Sequence, residues 1–301
     1  MNFFFKLINS TKKFLDVYLE AGYDPTSPNL RDKIIQLKNL RHKPDNELQG
    51  YMNKTMKILS QLNCGINILE GDQNKKCIYK NIRFHSTDIR DIESYHLGFH
   101  IGFMSNFLLY CLLSNNNESE ICQNYFDTLY KVNLLHDYFT DQEKINLAIK
   151  EFFKVSKIEK QIVNIKYPDV KYFLLNKYKG ILSKSHLINF DYIYNEIILS
   201  DEVEYEKIFE VVYYMCEFMD IFLMARMFRS FKNIEGVYSE DPKNIIIYVG
   251  NYHAQQYYQW LKKLGFTTLY QNEKAYDVKY FVKYVEIANC IKVNFIPGFL
   301  D

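Results

Sequence analysis

The chain has 301 residues, 48% of them hydrophobic, enough to bury a full core in one large domain or two smaller ones. Its 37 Lys and Arg against 36 Asp and Glu leave a formal charge of +1, so no basic excess supplies the phosphate-neutralising surface that nucleic-acid binding requires. The six cysteines (64, 77, 111, 122, 216 and 290) include no C-x-x-C pair, which fits neither a zinc ribbon nor a compact disulfide framework and suits a reducing, cytoplasmic setting.

The N-terminus reads MNFFFKLINSTKKFLDVYLEAG. Its apolar run FFFKLI is too short for a signal-peptide core and no small-residue cleavage site follows, so the segment reads as mature protein. Ser10 or Thr11 is placed to cap a helix carrying Phe14, Leu15, Tyr18 and Leu19 on one face, ended by Gly22 before the turn signal DPTSPN. Helical spacing recurs near residues 29–40 and 46–62. The period then changes: GINILEGD, 65–72, and CIYKNIRFHSTD, 77–88, are short, rich in β-branched and aromatic residues, and bounded by turns, which predicts strands.

From 91 to 200 the spacing is helical almost throughout, broken by SNNNESE, by Thr140-Asp141 as a cap, and by Tyr167-Pro168-Asp169. Within it, residues 95–113 carry no formal charge and would reach roughly 29 Å as a helix. His96, His100, Ser105 and Asn106 would each need a partner in lipid, and no Lys/Arg cluster flanks the run, so a buried core helix is expected rather than a membrane span. Residues 203–232 predict a long helix, apolar on nearly every side and therefore interior, interrupted by Glu217, Asp220, Arg226 and Arg229. The loop GVYSEDPKN leads to a strand in NIIIYV, a helix over about 254–264 stopped by Gly265, and a further strand in FTTLY. The tail, with YFVKYVEI and CIKVNFIPG, adds one more strand or helix. The fold expected is helix-rich α/β: one domain over 1–301 with a central, mostly parallel sheet and a large helical insertion, 91–200, after the second strand.

Ligand groups in an open α/β sheet gather at the carboxyl ends of strands. Gly250 stands where IIIYV ends and His253 at the first turn of the next helix, where an imidazole could ligate a metal or move a proton, or else pack the helix start. In IRFHSTDIRD, His85, Asp88, Arg90 and Asp91 crowd another strand exit. A turn after Phe84 lets His85 and Asp88 converge; continued extension leaves a solvated Asp88 to Arg90 pair. The charges on the interior helix need partners elsewhere, at a catalytic rim or in an ion pair to another helix. His96 and His100 share a helix face at metal-ligand spacing, but no acidic residue lies between them and packing suits them as well.

DIFLMARMFR followed by NIIIYVGNYHAQQYYQWLKKLGF resembles a giant-virus protein family and, more distantly, the TraB, Tiki and erythromycin-esterase-like superfamily. There, an arginine-bearing helix precedes a strand ending in G-x-x-H, and Arg226, Gly250 and His253 match in that order. The resemblance covers about a quarter of the chain. It implies a metal-dependent peptidase-like site for the Tiki branch and histidine-assisted hydrolysis for the esterase branch, acting in the host cytoplasm or the virion. A second motif, G-x-x-H or G-E-x-H near the first strand, is missing; GDQN at 71–74 stands where it would be sought, and His85 with Asp88 is our substitute for it.

The functional expectation is a hydrolase-like site at the sheet rim acting on a small-molecule or peptide substrate. His253, His85 and Asp88 serve as divalent-metal ligands or proton-transfer groups, Gly250 lines the cofactor position, and Arg226 stabilises an oxyanion. The alternative is a binding or structural protein that keeps the fold without the chemistry.

Overall fold

The segment LDVYL, expected within a helix, is instead the central strand of a parallel sheet. In the computed structural model, which describes residues 14–20, 78–79, 81–87, 89, 97, 104, 108, 139–198, 205–231 and 244–268, β1 is Leu15–Leu19, β2 is Ile82–Ser86 and β3 is Ile245–Tyr248. The strand order is β2-β1-β3, with both pairings parallel. A short apolar run has no resolvable period, so Phe14, Leu15, Tyr18 and Leu19 fit a helix face as well as a strand. Burial decides between them: all five residues of β1 are inaccessible, as expected of a central parallel strand covered on both faces.

Register follows from alternation. Leu15 pairs with Ile82 and Val17 with Phe84 and Ile246, forming an apolar face, while Asp16 pairs with Arg83 and Tyr18 with His85 on the other. Parallel partners share a face, so the polar residues of two strands are brought together by pairing alone. β1 leads on to β2 on one side, and the chain crosses back to β3 on the other, which makes the β1/β3 boundary a topological switch point.

Contacts divide the chain into two units, Met1–Asp88 with Met227–Asp301, and Ile89–Arg226. The sheet belongs to the first. The second contains α1 (Gln142–Val155), α2 (Ile158–Val163), α3 (Pro168–Ser183), a 3₁₀ turn (Ser185–Ile188), α4 (Phe190–Ile193), a π turn (Tyr194–Ile198) and most of α5 (Tyr205–Phe228). Asp141 caps α1 by accepting from the backbone N–H groups of Glu143 and Lys144. The expected break at Tyr167-Pro168-Asp169 is the start of α3, with Pro168 at its first position, where a missing N–H costs nothing. The apolar wrap of α5 is real: from Val211 to Met227 nearly every residue is buried, and Phe218 meets Phe152, Phe153 and Tyr214 edge-on or tilted. Glu217 finds its partner on a neighbouring helix, Lys177 at 2.9 Å.

In the first unit α6 (Asn251–Lys263) follows β3 and ends at Gly265, whose φ of 87° is the left-handed stop expected of it. Phe266 to Thr268, the start of the strand expected in FTTLY, are exposed coil rather than strand; Leu269 and Tyr270 lie outside the described residues. No helix among the described residues is long and apolar enough to cross a membrane. Of 95–113 only Leu97, Met104 and Leu108 are described, all helical and buried. The helices expected at 29–40 and 46–62, the strand at 65–72 and the tail beyond 268 lie outside the described residues.

Candidate functional site

Asp16 has no solvent exposure and sits at the centre of the polar face. Arg83 grips its carboxylate as a fork, Nε to Oδ1 at 2.7 Å and Nη2 to Oδ2 at 2.9 Å, and His85 Nε2 donates to Oδ1 at 2.7 Å. Burial alone would push the Asp16 pKa up. The hydrogen bonds from His85 and Arg83, with their charges, outweigh it and hold the carboxyl below its ordinary value. The Tyr18 ring stacks on His85 at 4.4 Å, and Phe231 closes over both His85 and the Arg83 guanidinium, the latter 3.8 Å from its ring centroid. The result is a sealed, charge-assisted network.

Four residues further along β1, roughly 13 Å by strand rise, the second cluster lies at the carboxyl end of the sheet. Glu20 still follows the ladder, its N–H donating to Tyr248 O at 3.1 Å. Its Oε2 accepts the Gly250 N–H at 2.5 Å, and Oε1 lies 3.6 Å from His253 Nε2. His253 is the third residue of α6, buried, its ring set against Tyr252 and Tyr257. Gly250 precedes the helix with φ −58° and ψ 154°, a conformation any residue adopts. The glycine is there for proximity rather than for a special turn: a Cβ would stand 3.3 Å from Glu20 Oε2.

The expected site is therefore partly reassembled. His85 lies on β2 and His253 on the helix that follows β3, the two strands that flank β1, but each is held by a different carboxylate: Asp16 for His85 and Glu20 for His253. Gly250 turns its N–H to Glu20. Asp88 lies outside the described residues, and Arg226 belongs to the helical unit, where it is buried with its guanidinium 6.0 Å from the Phe222 ring centroid. Among the described residues no group of three or more His, Cys, Asp or Glu is arranged to hold a metal ion.

Asp16, Glu20, Tyr18 and Arg83 are the residues that sequence reasoning missed. A signal for them existed: D-x-Y-x-E in DVYLE and R-x-H in IRFHS are polar alternations at the period of a strand, visible once residues 15–19 are read as one. No family model, curated protein or solved structure matches the chain, so what the site can do rests on its own geometry.

Proposed function

We propose that the chain is a divergent hydrolase-like protein, of the kind its resemblance to the TraB, Tiki and esterase-like superfamily implies, with Glu20 and His253 as its acid–base pair. The observation that carries this reading is the position of the pair: a carboxylate and an imidazole 3.6 Å apart, outside the carboxyl ends of two adjacent parallel strands, at the switch point where such sheets place their ligands. In this reading His253 takes the proton of the attacking water. Glu20 orients the ring and stabilises the imidazolium that forms. The N-terminus of α6 offers N–H donors and a positive dipole to the charge that develops on the substrate oxygen. The Asp16 network fixes the strands beneath and takes no part in the chemistry; Arg226 is assigned no role.

One observation favours the non-catalytic alternative: Glu20 already accepts the Gly250 N–H, tying the end of β1 to the start of α6 as a purely structural strap would. The two readings separate on turnover. Hydrolysis of small nitrophenyl esters and of a casein-derived peptide mixture, with and without added Zn²⁺, is expected to fall about 10²- to 10⁴-fold in His253→Gln and in Glu20→Gln, with unchanged circular dichroism. A wild-type chain inert under every condition, or a His253→Gln chain as active as wild type, refutes the hydrolase reading.

A further inference from the structure

Arg229 follows directly on the last residue of α5. Its guanidinium lies over the Phe231 ring, 4.4 Å from the centroid, and the Arg83 guanidinium lies over the same ring at 3.8 Å. The two cations differ in what they have to bind. Arg83 is committed to Asp16 through its Nε and Nη2. Arg229 Nε is shielded from solvent with no hydrogen-bond acceptor, and among the described residues no carboxylate pairs with it. The hydroxyl of the next residue, Ser230, is equally shielded and equally unpartnered.

Among the described residues the charge balance is thus incomplete. Asp16 neutralises one guanidinium, leaving a second positive charge beside the same aromatic ring. Guanidinium does not shed its proton in proteins, so the imbalance cannot be relieved by titration near neutral pH. Burial pushes the Arg229 pKa down, the Tyr18 hydroxyl partly offsets this, and repulsion from Arg83 adds to it. A half-buried cation whose shielded Nε has no acceptor, next to an unused hydroxyl and backed by an aromatic platform, is complementary to an oxyanion.

We propose that Arg229 and Ser230 form a binding subsite for the oxyanion of a ligand, a carboxylate or a phosphate. Phe231 holds the fork in place from one side. Because Phe231 also packs on His85, the subsite belongs to the face of the sheet that carries Asp16 and Tyr18. The inference goes beyond the hydrolase reading and stands if that reading fails, since neither residue belongs to the Glu20–His253 pair.

The test is thermal unfolding of the full chain in inorganic phosphate or in acetate, each compared with chloride at equal ionic strength. At an anion concentration a hundredfold above Kd, the Tm of the wild type is expected to rise by roughly 5–10 °C. A rise with phosphate alone assigns a phosphate ligand; a rise with acetate assigns a carboxylate. Arg229→Met abolishes the rise and, having lost an uncompensated charge, melts above the wild type in chloride. Arg229→Lys, which keeps the charge without the fork, retains less than half of the rise and carries the test should the methionine variant fail to fold. The proposal is overturned if neither anion exceeds chloride, or if the variants respond to phosphate as the wild type does.

Discussion

Replacing Asp16 by asparagine separates a buried ion network from ordinary packing. Arg83 and His85 both direct donors at this carboxylate, from side chains that are 6% and 3% exposed. Asparagine keeps the volume but removes the charge, taking from the buried Arg83 guanidinium the carboxylate it binds, a defect that costs about 3–5 kcal/mol. A domain with a total stability of about 5–15 kcal/mol would lose a large part of it. Replacing both partners, as in Asp16→Leu with Arg83→Met, removes the desolvated charges together. It should recover much of the loss, with a coupling energy of about 2–3 kcal/mol in the double-mutant cycle. Urea unfolding followed by the fluorescence of Trp260, the sole tryptophan and buried on α6 in the same unit, measures each variant. Strictly additive single-mutant losses, or an Asp16→Asn loss below about 1 kcal/mol, would show that the network is not what holds β1 to β2. The acid limb supplies an independent check. The folded-state pKa of Asp16 lies below its ordinary value of 3.8. Its contribution is therefore complete above that value and is lost as the pH falls through the depressed folded value. The wild type should lose stability faster than Asp16→Asn below pH 3.8 and in parallel with it above.

Three further expectations concern single contacts. Gly250→Ala needs no unusual backbone angle and only asks the end of the flexible Glu20 side chain to give way by a few tenths of an ångström, so its stability cost should stay below about 1 kcal/mol. Its effect should instead appear in the His253 imidazole, as NMR chemical-shift changes of the ring protons, because the Glu20 contact is altered. Phe218→Ala removes the ring that joins α1 to α5 and should cost about 3–5 kcal/mol in the unfolding of the helical unit. Lys177→Met, by contrast, breaks a pair with Glu217 that is part-exposed on both sides, and denaturant unfolding should register no more than about 1 kcal/mol.

What could be read in advance, and what could not, divides along sequence distance. IIIY and IRFHS declare themselves as strands because β-branched and aromatic residues with flanking turn signals leave few other options, and Asp141, Pro168 and Gly265 mark helix ends through chemistry that acts within a few residues. Leu15–Leu19 was legible as apolar but not as a strand, because its D-x-Y-x-E alternation is too short to tell from a helix face and the partners that make it a strand are far along the chain. The same distance hid the site. His85 was matched with the nearby Asp88, whereas the carboxylate it binds lies 69 residues away; His253 stood at the right rim, but its carboxylate, Glu20, arrives from the opposite end of the chain. Local spacing can nominate a histidine, but it cannot say which acid the sheet register will deliver to it.

The placement of the central strand also bears on how the molecule is made. β1 leaves the ribosome well before one of its two neighbours, β3, which is encoded some 230 positions later. At about 5–20 residues per second, the interval before β3 is translated is on the order of 10–45 s. For that time LDVYL, a stretch that ends fully dry, has at most one flank occupied. Nascent-chain proteolysis should accordingly find the region around Leu15 to Leu19 cleavable in ribosome-stalled products that stop short of Ile245, and protected once Tyr248 has cleared the exit tunnel.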